Sequence, residues 1–401
     1  MKPKDVREIG KEGPAAIPRL TQLLSNRDRD VRIEAVKQIT QIGPPQSLDP
    51  LIQATHDSDP EVQIQATDGL VNFYLPGYVK TGIGGSLRKV GTGIKGRFTD
   101  TNDQVIEPYI TVRPDVIAAL GNLVKSGASL DSRSNAARAL GILRGQAALP
   151  ALIEATHSKE TQLIYESLVA LEKIRDESAG PQVEFLIHDF NPKVQAAAIE
   201  TVGLLRDKAA VPALIQVLNG SKDIKVRRSA LEAISMLPEE SSRSVYTLYL
   251  QDKDDKLRAA AADGFARLHD KSDLPMLEKA WNAELKPEPR LSLAFAQVAD
   301  GKTELSEFSP LQFLINNLDS AAYHGEAYPF LVELARDPAV RALLYQPMAS
   351  GTKDEKIGLA RVLGRSGDQA SIAPLQKLSN DPDPDVAQAA LNAVRDLQAR
   401  M

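Results

Sequence analysis

Apolar side chains recur every three to five residues along most of the chain, in runs about as long as one short helix. The segment near residue 200 is an example, with Val194, Ala197, Ala198, Val202 and Leu205 in register. This spacing places the five side chains on one side of a helix and leaves polar residues on the other. The pattern predicts amphipathic helices that each bury a single stripe.

The helices are predicted to come in pairs that repeat about every 31 residues. Pro150, Pro181 and Pro212 follow one another in steps of 31 residues, and each is expected to open a first helix. About a dozen residues after each proline, segments such as "KVQAAAI" from residue 193 open a second helix. A lone hairpin of this length cannot bury its own stripe, so neighbouring hairpins must stack. The sequence therefore predicts an all-α solenoid, an α-α superhelix of about eleven helical hairpins.

The expected hairpins form one continuous domain over residues 1–401. Their predicted bounds are 9–42, 43–73, 113–143, 144–174, 175–205, 206–237, 238–268, 269–300, 301–336, 337–366 and 367–401.

The turns between paired helices support this assignment. Asp59, Asn191 and Asp383 each precede a proline at the expected start of a second helix. Their side-chain oxygens are suited to accept the free N–H groups of the first turn, and proline is tolerated at the first helical position. We expect these three residues to be N-caps.

A proline that opens the first helix, followed by D-x-x-V-R-x-x-A-x-x-A-L or close variants in the second, resembles the HEAT repeat, in its shorter bacterial, lyase-type form. The resemblance covers most of the chain and implies an armadillo-like solenoid, but the activities of its members differ widely. It also implies aspartate–arginine bonds between neighbouring repeats, which we expect to be structural. The candidates are Asp28 or Asp30 with Arg32, Asp223 with Arg227, and Asp255 with Arg258.

The repeat is interrupted by an insert of roughly 41 residues, which spans about residues 74–113. Within this insert, "GIGGSLRKVGTGIKGRF" at 82–98 is rich in glycine, which disfavours a stable helix. Every charged side chain between residues 75 and 99 is basic, although the whole chain has a formal charge of -5. Apolar side chains lie between these charges, so the insert has the composition of a binding loop.

Three functions of the insert stay open beside that of a solvated loop with no ligand. It is suited to dock on an acidic protein partner, because opposite charge steers encounter, or to fold back over an acidic groove of its own chain. It is also suited to bind phosphate or an anionic lipid surface through backbone amides and lysines. The match of Gly91–Gly96 to G-x-G-x-x-G is weak, because Arg97 and Phe98 stand where a phosphate loop needs Lys and Ser or Thr.

Composition narrows the function classes further. The acidic total and the single tryptophan argue against nucleic acid as a partner. The chain has no cysteine, which excludes disulfides and thiol chemistry, and no apolar run long enough for a membrane span. A cytoplasmic location is the default expectation, or a periplasmic or secreted one if a signal peptide has been removed.

No catalytic residue, metal ligand or cofactor is predicted. His56, His157 and His188 occupy equivalent places at the ends of first helices, where a histidine more often interacts with the helix dipole than with a metal. The iron-binding HEAT-type hydroxylases use His-Glu pairs, and this chain has no His-Glu dipeptide. Phycobilin lyases resemble the chain in repeat style but offer no motif whose residues can be transferred.

A second irregular segment, at residues 301–350, is rich in aromatic residues. Phe313 and Phe330 lie on apolar stripes and are expected to pack inside. Tyr323 and Tyr328 are the better candidates for a recognition surface.

The function predicted from the sequence is that of a non-catalytic scaffold, which binds a protein or peptide with an acidic surface through its concave face and its inserted loop. The alternatives are a lyase-like protein that handles a chromophore or small ligand, and a peripheral binder of anionic lipid or phosphate through residues 78–98. The predicted partner-binding residues are Tyr78, Lys80, Arg88, Lys89, Lys95, Arg97, Phe98, Tyr323 and Tyr328.

Overall fold

The computed structural model describes residues 1–43, 45–81, 87–89, 104–107 and 109–401. These residues form an all-α protein built of antiparallel helix pairs, as the sequence predicts. The chain divides into two compact units, Met1–Ala210 and Val211–Met401. Each unit is described by itself below.

Unit 1 begins with a single helix and continues with helix pairs, in which the even-numbered helix is the first and the odd-numbered helix the second. Short 3-10 turns precede most of the first helices, and one, Glu184–His188, follows α10. The helices are α1 (Pro3–Gly10), α2 (Ile17–Leu23), α3 (Arg29–Ile42), α4 (Leu48–Ala54), α5 (Pro60–Tyr74), α6 (Pro114–Ser126), α7 (Leu130–Ile142), α8 (Leu149–Thr156), α9 (Thr161–Ile174), α10 (Gly180–Val183) and α11 (Pro192–Leu204).

Unit 2 continues the same alternation and becomes irregular after its third pair. Its helices are α12 (Val211–Gly220), α13 (Ile224–Ser235), α14 (Arg243–Tyr249), α15 (Asp255–Leu268), α16 (Leu274–Ala283), α17 (Pro287–Ala299), α18 (Pro310–Asn316), α19 (His324–Leu334), α20 (Pro338–Leu343), α21 (Tyr345–Ser350), α22 (Lys353–Ser366), α23 (Gln369–Leu378) and α24 (Pro384–Gln398).

The second helices begin at the predicted caps. The side chains of Asp59, Asn191 and Asp383 each accept two backbone N–H bonds from the first turn that follows, and each precedes a proline. These bonds satisfy donors that the helix itself leaves free, which fixes where the helix starts. The N-cap prediction is confirmed at all three positions.

In unit 1 the second helices pack side by side as one layer, from α3 through α5, α7 and α9 to α11, and the first helices pack against one side of it. Leu70, Leu140 and Leu168 are fully buried between the two layers. Gly141 lets α7 approach α9 closely, because a Cβ built there would lie 2.8 Å from the Cα of Ala170. We call the side of this layer that faces away from the first helices the second-helix face.

In unit 2, α13, α15 and α17 form the equivalent layer, and α22 packs on α24. The core contains the large aromatic side chains of Tyr246, Phe265 and Phe295, each at most 1% exposed. α19 packs on both α17 and α22.

The insert lies between the end of α5 at Tyr74 and the start of α6 at Pro114. Its described part contains two short strands, β1 (Val79–Thr81) and β2 (Leu87–Lys89). The strands are antiparallel, with Val79 opposite Lys89 and Lys80 opposite Arg88.

Candidate functional site

In most second helices of both units, the residue six positions after the first buried residue lies on the second-helix face. We call this place in the helix the register position. A charged residue occupies it in every helix of the set except α9, which has Val169. The side chain in this position is buried in α5 and exposed in α11 and α13. The residues are Asp68 of α5, Arg138 of α7, Val169 of α9, Glu200 of α11, Glu232 of α13 and Asp263 of α15.

In unit 1 this position forms part of a buried polar cluster. Both ends of the Arg138 guanidinium donate to the carboxylate of Glu166, with the Nε–Oε2 distance at 3.0 Å. Asn135 Nδ2 donates to Asp68 Oδ1 at 3.0 Å. The cluster joins α5, α7 and α9, because Asp68, Arg138 and Glu166 belong to three successive second helices.

The two ends of the insert lie against these helices. Val79 N donates to Asn72 Oδ1 at 3.0 Å, close to the end of α5. On the return, Ile106 N donates to the carbonyl of Ile142 at 3.0 Å, at the last residue of α7. We call residues 75–79 and 104–107 the insert roots.

The root at residues 104–107 also contacts the second helix pair after the insert. Lys173 Nζ of α9 lies 3.4 Å from the carbonyl oxygen of Gln104, to which it donates. The insert roots therefore contact α5, α7 and α9.

Tyr78, predicted to lie at a partner surface, is instead buried at 7% exposure. Burial raises the pKa of its hydroxyl well above the usual range, the charge of Asp68 raises it further, and Arg138 opposes the shift. The ring belongs to the packing of unit 1, which corrects the expectation that it faces a partner. The sequence suggested a surface position because Tyr78 is one of the apolar residues that lie among the basic residues of the insert, whereas the helices that cover it come from distant parts of the sequence.

The basic residues predicted in the insert divide into two sets. Lys80 lies on β1, and Arg88 and Lys89 lie on β2, so the backbone pairing brings these three positions together. Lys95, Arg97 and Phe98 lie outside the described residues.

Tyr323 and Tyr328, the candidates in unit 2, are half-buried beside and within α19. The Tyr328 ring stacks on His324, with ring centroids 5.8 Å apart. Nδ1 of His324 is 2.9 Å from the carbonyl oxygen of Leu318, which holds the imidazole in place. One face of the Tyr328 ring therefore contacts His324 within the protein.

The other aromatic side chains of this segment are placed as their stripes predict. Phe330 stacks on Phe295 with centroids 4.5 Å apart, and Phe313 meets the Trp281 ring edge-on at 5.1 Å. Phe308, in the same segment, is 83% exposed.

A second, partly buried polar cluster joins α15 to α19. Arg267 of α15 makes a two-pronged ion pair with Glu333 of α19, at 3.1 and 3.0 Å. Burial raises the pKa of the neighbouring Asp263 to about 7, although the charge of Arg267 opposes the shift. Nothing in the sequence indicated this pair, because its members lie two hairpins apart.

Arginines at the starts of second helices bind the following repeat, as the resemblance implies, but with other partners. Arg32 bonds Asp57 through two nitrogens at 2.7 and 3.0 Å, and Arg258 bonds Glu284 in the same manner. Asp28 is the N-cap of α3.

In α13, Arg228 and not the predicted Arg227 forms the ion pair with the next repeat. Arg228 pairs with Asp254, whereas Arg227 lies over the Tyr249 ring. These arginines therefore join repeats, and the pairings predicted for Arg32, Arg227 and Arg258 are wrong because each partner comes from the next repeat.

Within the described part of the chain, no group of three or more His, Cys, Asp or Glu side chains is arranged to hold a metal ion. Of the three equivalent histidines, His56 has Nδ1 3.1 Å from the carbonyl oxygen of Ile52, and His157 stacks on Phe185. Over the same residues, no helix combines the length and apolarity needed to cross a membrane.

Comparison with known proteins identifies the repeat. The family profile described as HEAT repeats matches residues 13–80 and 181–249, and the PBS lyase HEAT-like repeat matches residues 132–157. No curated protein sequence matches the chain.

Solved structures align along much of the chain with low identity. An engineered protein is 18% identical, covers 95% of this chain and 98% of its own, and has a TM-score of 0.39. The CpcE–CpcF complex of phycocyanin lyase from Nostoc sp. PCC7120 is 18% identical, with 66% and 91% coverage and a TM-score of 0.38. YibA of Escherichia coli is 16% identical, with 73% and 95% coverage and a TM-score of 0.41.

Alignments at this identity and TM-score do not assign a function. The profile matches lie in the stacked helix pairs of unit 1 and at the start of unit 2, where the caps, stripes and inter-repeat arginines are also found. The chain therefore contains HEAT repeats.

Proposed function

We propose that the chain is a non-catalytic scaffold that binds a protein or peptide partner through the second-helix face and the basic insert. HEAT repeats suggest a protein-interaction role. The observation that carries it is the connection between the two elements, because the insert roots bond the last turns of α5, α7 and α9, and Tyr78 lies within the electrostatic reach of Asp68. A partner at that face therefore also meets the insert.

Charge supports an acidic partner surface for the insert. Lys80, Arg88 and Lys89 lie on paired strands, and the insert sequence adds Lys95 and Arg97 without an acidic residue between them. Basic groups in such a cluster accelerate encounter with an acidic surface and make binding sensitive to salt. Tyr323 and Tyr328 remain proposed contacts in unit 2, and a cytoplasmic location stays a prediction.

The test uses a variant with Gln at Lys80, Arg88, Lys89, Lys95 and Arg97. A matched control carries Gln at five exposed lysines elsewhere, Lys4, Lys159, Lys222, Lys253 and Lys279. Both chains and the wild type are immobilised, and proteins retained from native lysate at low and moderate salt are identified by mass spectrometry. A parallel measurement uses vesicles with and without anionic lipid.

We expect the wild type and the control to retain the same protein, with retention that falls as salt rises, and the insert variant to lose it. Equal retention by the three chains contradicts the role of the insert. Binding to anionic vesicles that only the insert variant loses, with no protein retained, replaces the scaffold by a peripheral lipid binder.

A further inference from the structure

We infer that the second-helix face of α5, α7 and α9 is a binding surface for an extended peptide, and that the insert roots occupy it in this structure. The external ligand that fits is an extended segment with an aromatic hydroxyl side chain and a branched aliphatic one. Such a ligand takes the place of the chain's own roots. The inference rests on the proposed scaffold role, but its test needs no natural partner.

The backbone of the roots is bonded by groups in the last turns of the three second helices. Asn72 accepts from Val79 N, the last carbonyl of α7 accepts from Ile106 N, and Lys173 donates to the carbonyl of Gln104. The Ile142 carbonyl is one that a helix end leaves without an intrahelical partner. Contacts of this kind recognise the main chain of any extended segment, so they do not depend on the sequence of the insert.

Two side chains of the roots give the surface its selectivity. Ile106 is 2% exposed and Tyr78 is 7% exposed. Tyr78 lies within the electrostatic reach of Asp68, Arg138 and Glu166, the polar cluster that joins the three second helices. An aliphatic side chain and a tyrosine are therefore the two anchors that a competing peptide must reproduce.

The register position on the second-helix face shows that something outside the repeats covers this region. Glu200 of α11 and Glu232 of α13 are exposed there, as expected for a layer with no further helix above it. Asp68 of α5 is only 3% exposed, and Val169 of α9 is only 6% exposed. The buried positions belong to the helices that the insert roots contact.

The test uses the absence of cysteine in the chain, which makes a single introduced thiol a clean reporter. Val169→Cys gives the face reporter, on the covered surface, and Val36→Cys gives the core reporter, at a fully buried position of α3 in the same unit. Each is combined with Ile106→Asp, which places a charge in the covered root. Tyr109→Asp is the matched control, because Tyr109 is 47% exposed in the same connecting segment.

We expect Ile106→Asp to increase the rate at which the face reporter reacts with a thiol reagent by about tenfold or more, with the core reporter unchanged. Tyr109→Asp should change neither rate. Adding a synthetic peptide of residues 75–81 to a chain that carries both Ile106→Asp and Tyr78→Ala, in which neither root keeps its anchor, should slow the face reporter again, and a peptide with Tyr78→Ala should not.

Unchanged reactivity of the face reporter in a folded Ile106→Asp chain overturns the inference, because the roots then do not cover the face. Faster reaction of the face reporter with no protection by the peptide overturns its binding role. If both reporters react faster, Ile106→Asp has unfolded the unit. The experiment is then repeated with Asn72→Ala, which removes only one backbone contact, and the same two criteria apply. None of these outcomes depends on the salt-sensitive capture that tests the scaffold role.

Discussion

At the scale of single residues, buried carboxylates determine how stability depends on pH. Asp300 follows the end of α17 and is 1% exposed, and neither of its carboxylate oxygens has a hydrogen-bond partner among the described residues. Burial raises the pKa of its carboxyl group to about 7, with Asp273 and Asp270 adding to the shift and Arg243 opposing it. The folded protein therefore holds this group protonated at pH values where the unfolded chain has lost the proton.

The sign of the effect follows from this difference. Stability from the protonated group is complete below the unfolded pKa of about 4 and declines as the pH rises through about 7. Asp300→Asn should therefore stabilise the protein more at pH 8 than at pH 5, by on the order of 2 kcal/mol in the free energy of unfolding. Urea unfolding of both proteins at the two pH values measures the difference, and an equal effect at both contradicts the assignment.

A second prediction at this scale concerns the ion pair between Arg267 and Glu333. Their side chains are 19% and 33% exposed, so Arg267→Met leaves a partly desolvated carboxylate without its partner. We expect a loss of about 2–3 kcal/mol in the free energy of unfolding, because an uncompensated charge costs more than the pair contributes. The change also removes the positive charge that opposes the raised pKa of Asp263.

The control for this prediction is the double variant Arg267→Met, Glu333→Leu, which removes both charges. It should recover most of the lost stability, as urea unfolding of the three proteins shows. If the double variant is as unstable as the single one, packing of the arginine stem rather than charge explains the loss.

At the scale of helices, the distance between packed helices determines which glycines can be replaced by alanine. In Gly141→Ala the new Cβ would lie 2.8 Å from the backbone of Ala170, so α7 must move away from α9. In Gly121→Ala, inside α6, the atom nearest to the new Cβ is 3.4 Å away, which is close to an ordinary van der Waals distance. We expect Gly141→Ala to cost about 1–3 kcal/mol and Gly121→Ala to be neutral or to stabilise by up to about 1 kcal/mol.

Thermal unfolding of the two variants checks this contrast. Both changes replace a helical glycine with the same residue, so the helix propensity gained is alike and the difference reports on packing between second helices. Equal melting temperatures would mean that the α7–α9 contact adjusts without cost.

The elements show why part of the fold was predictable and part was not. Caps at Asp59, Asn191 and Asp383, and the stripes between them, depend on residues within one turn, so the sequence alone indicates them. The partner of Arg258 depends on how two hairpins meet, and it is Glu284 of the next turn rather than the expected aspartate. Local signals thus predict the hairpin, whereas the side-chain pairs between hairpins depend on packing geometry.

The candidate site was less predictable for the same reason. The insert was recognisable because it breaks the period and because its charges are all basic. The position of Tyr78 depends on Asp68, Arg138 and Glu166, which lie on three different helices up to 88 residues away. A pattern within the insert carries no information about such distant neighbours.

At the scale of the whole molecule, stacked repeats make stability a local property. Most packing in each unit joins adjacent helix pairs, so a cavity in one hairpin should weaken its neighbours more than distant repeats. Leu140 of α7 and Leu291 of α17 are both fully buried, one in each compact unit. They provide a reciprocal pair for the experiment.

We expect Leu140→Ala to cost about 2–5 kcal/mol locally and to accelerate amide hydrogen exchange in α5, α7 and α9. Exchange in α17 and its neighbours should change little, and Leu291→Ala should give the opposite distribution. Mass spectrometry of peptides from both variants under native conditions measures this. An equal acceleration in both units after either change would mean that the 401 residues open as one cooperative structure, since a nearest-neighbour stack cannot transmit a local cavity undiminished to its distant repeats.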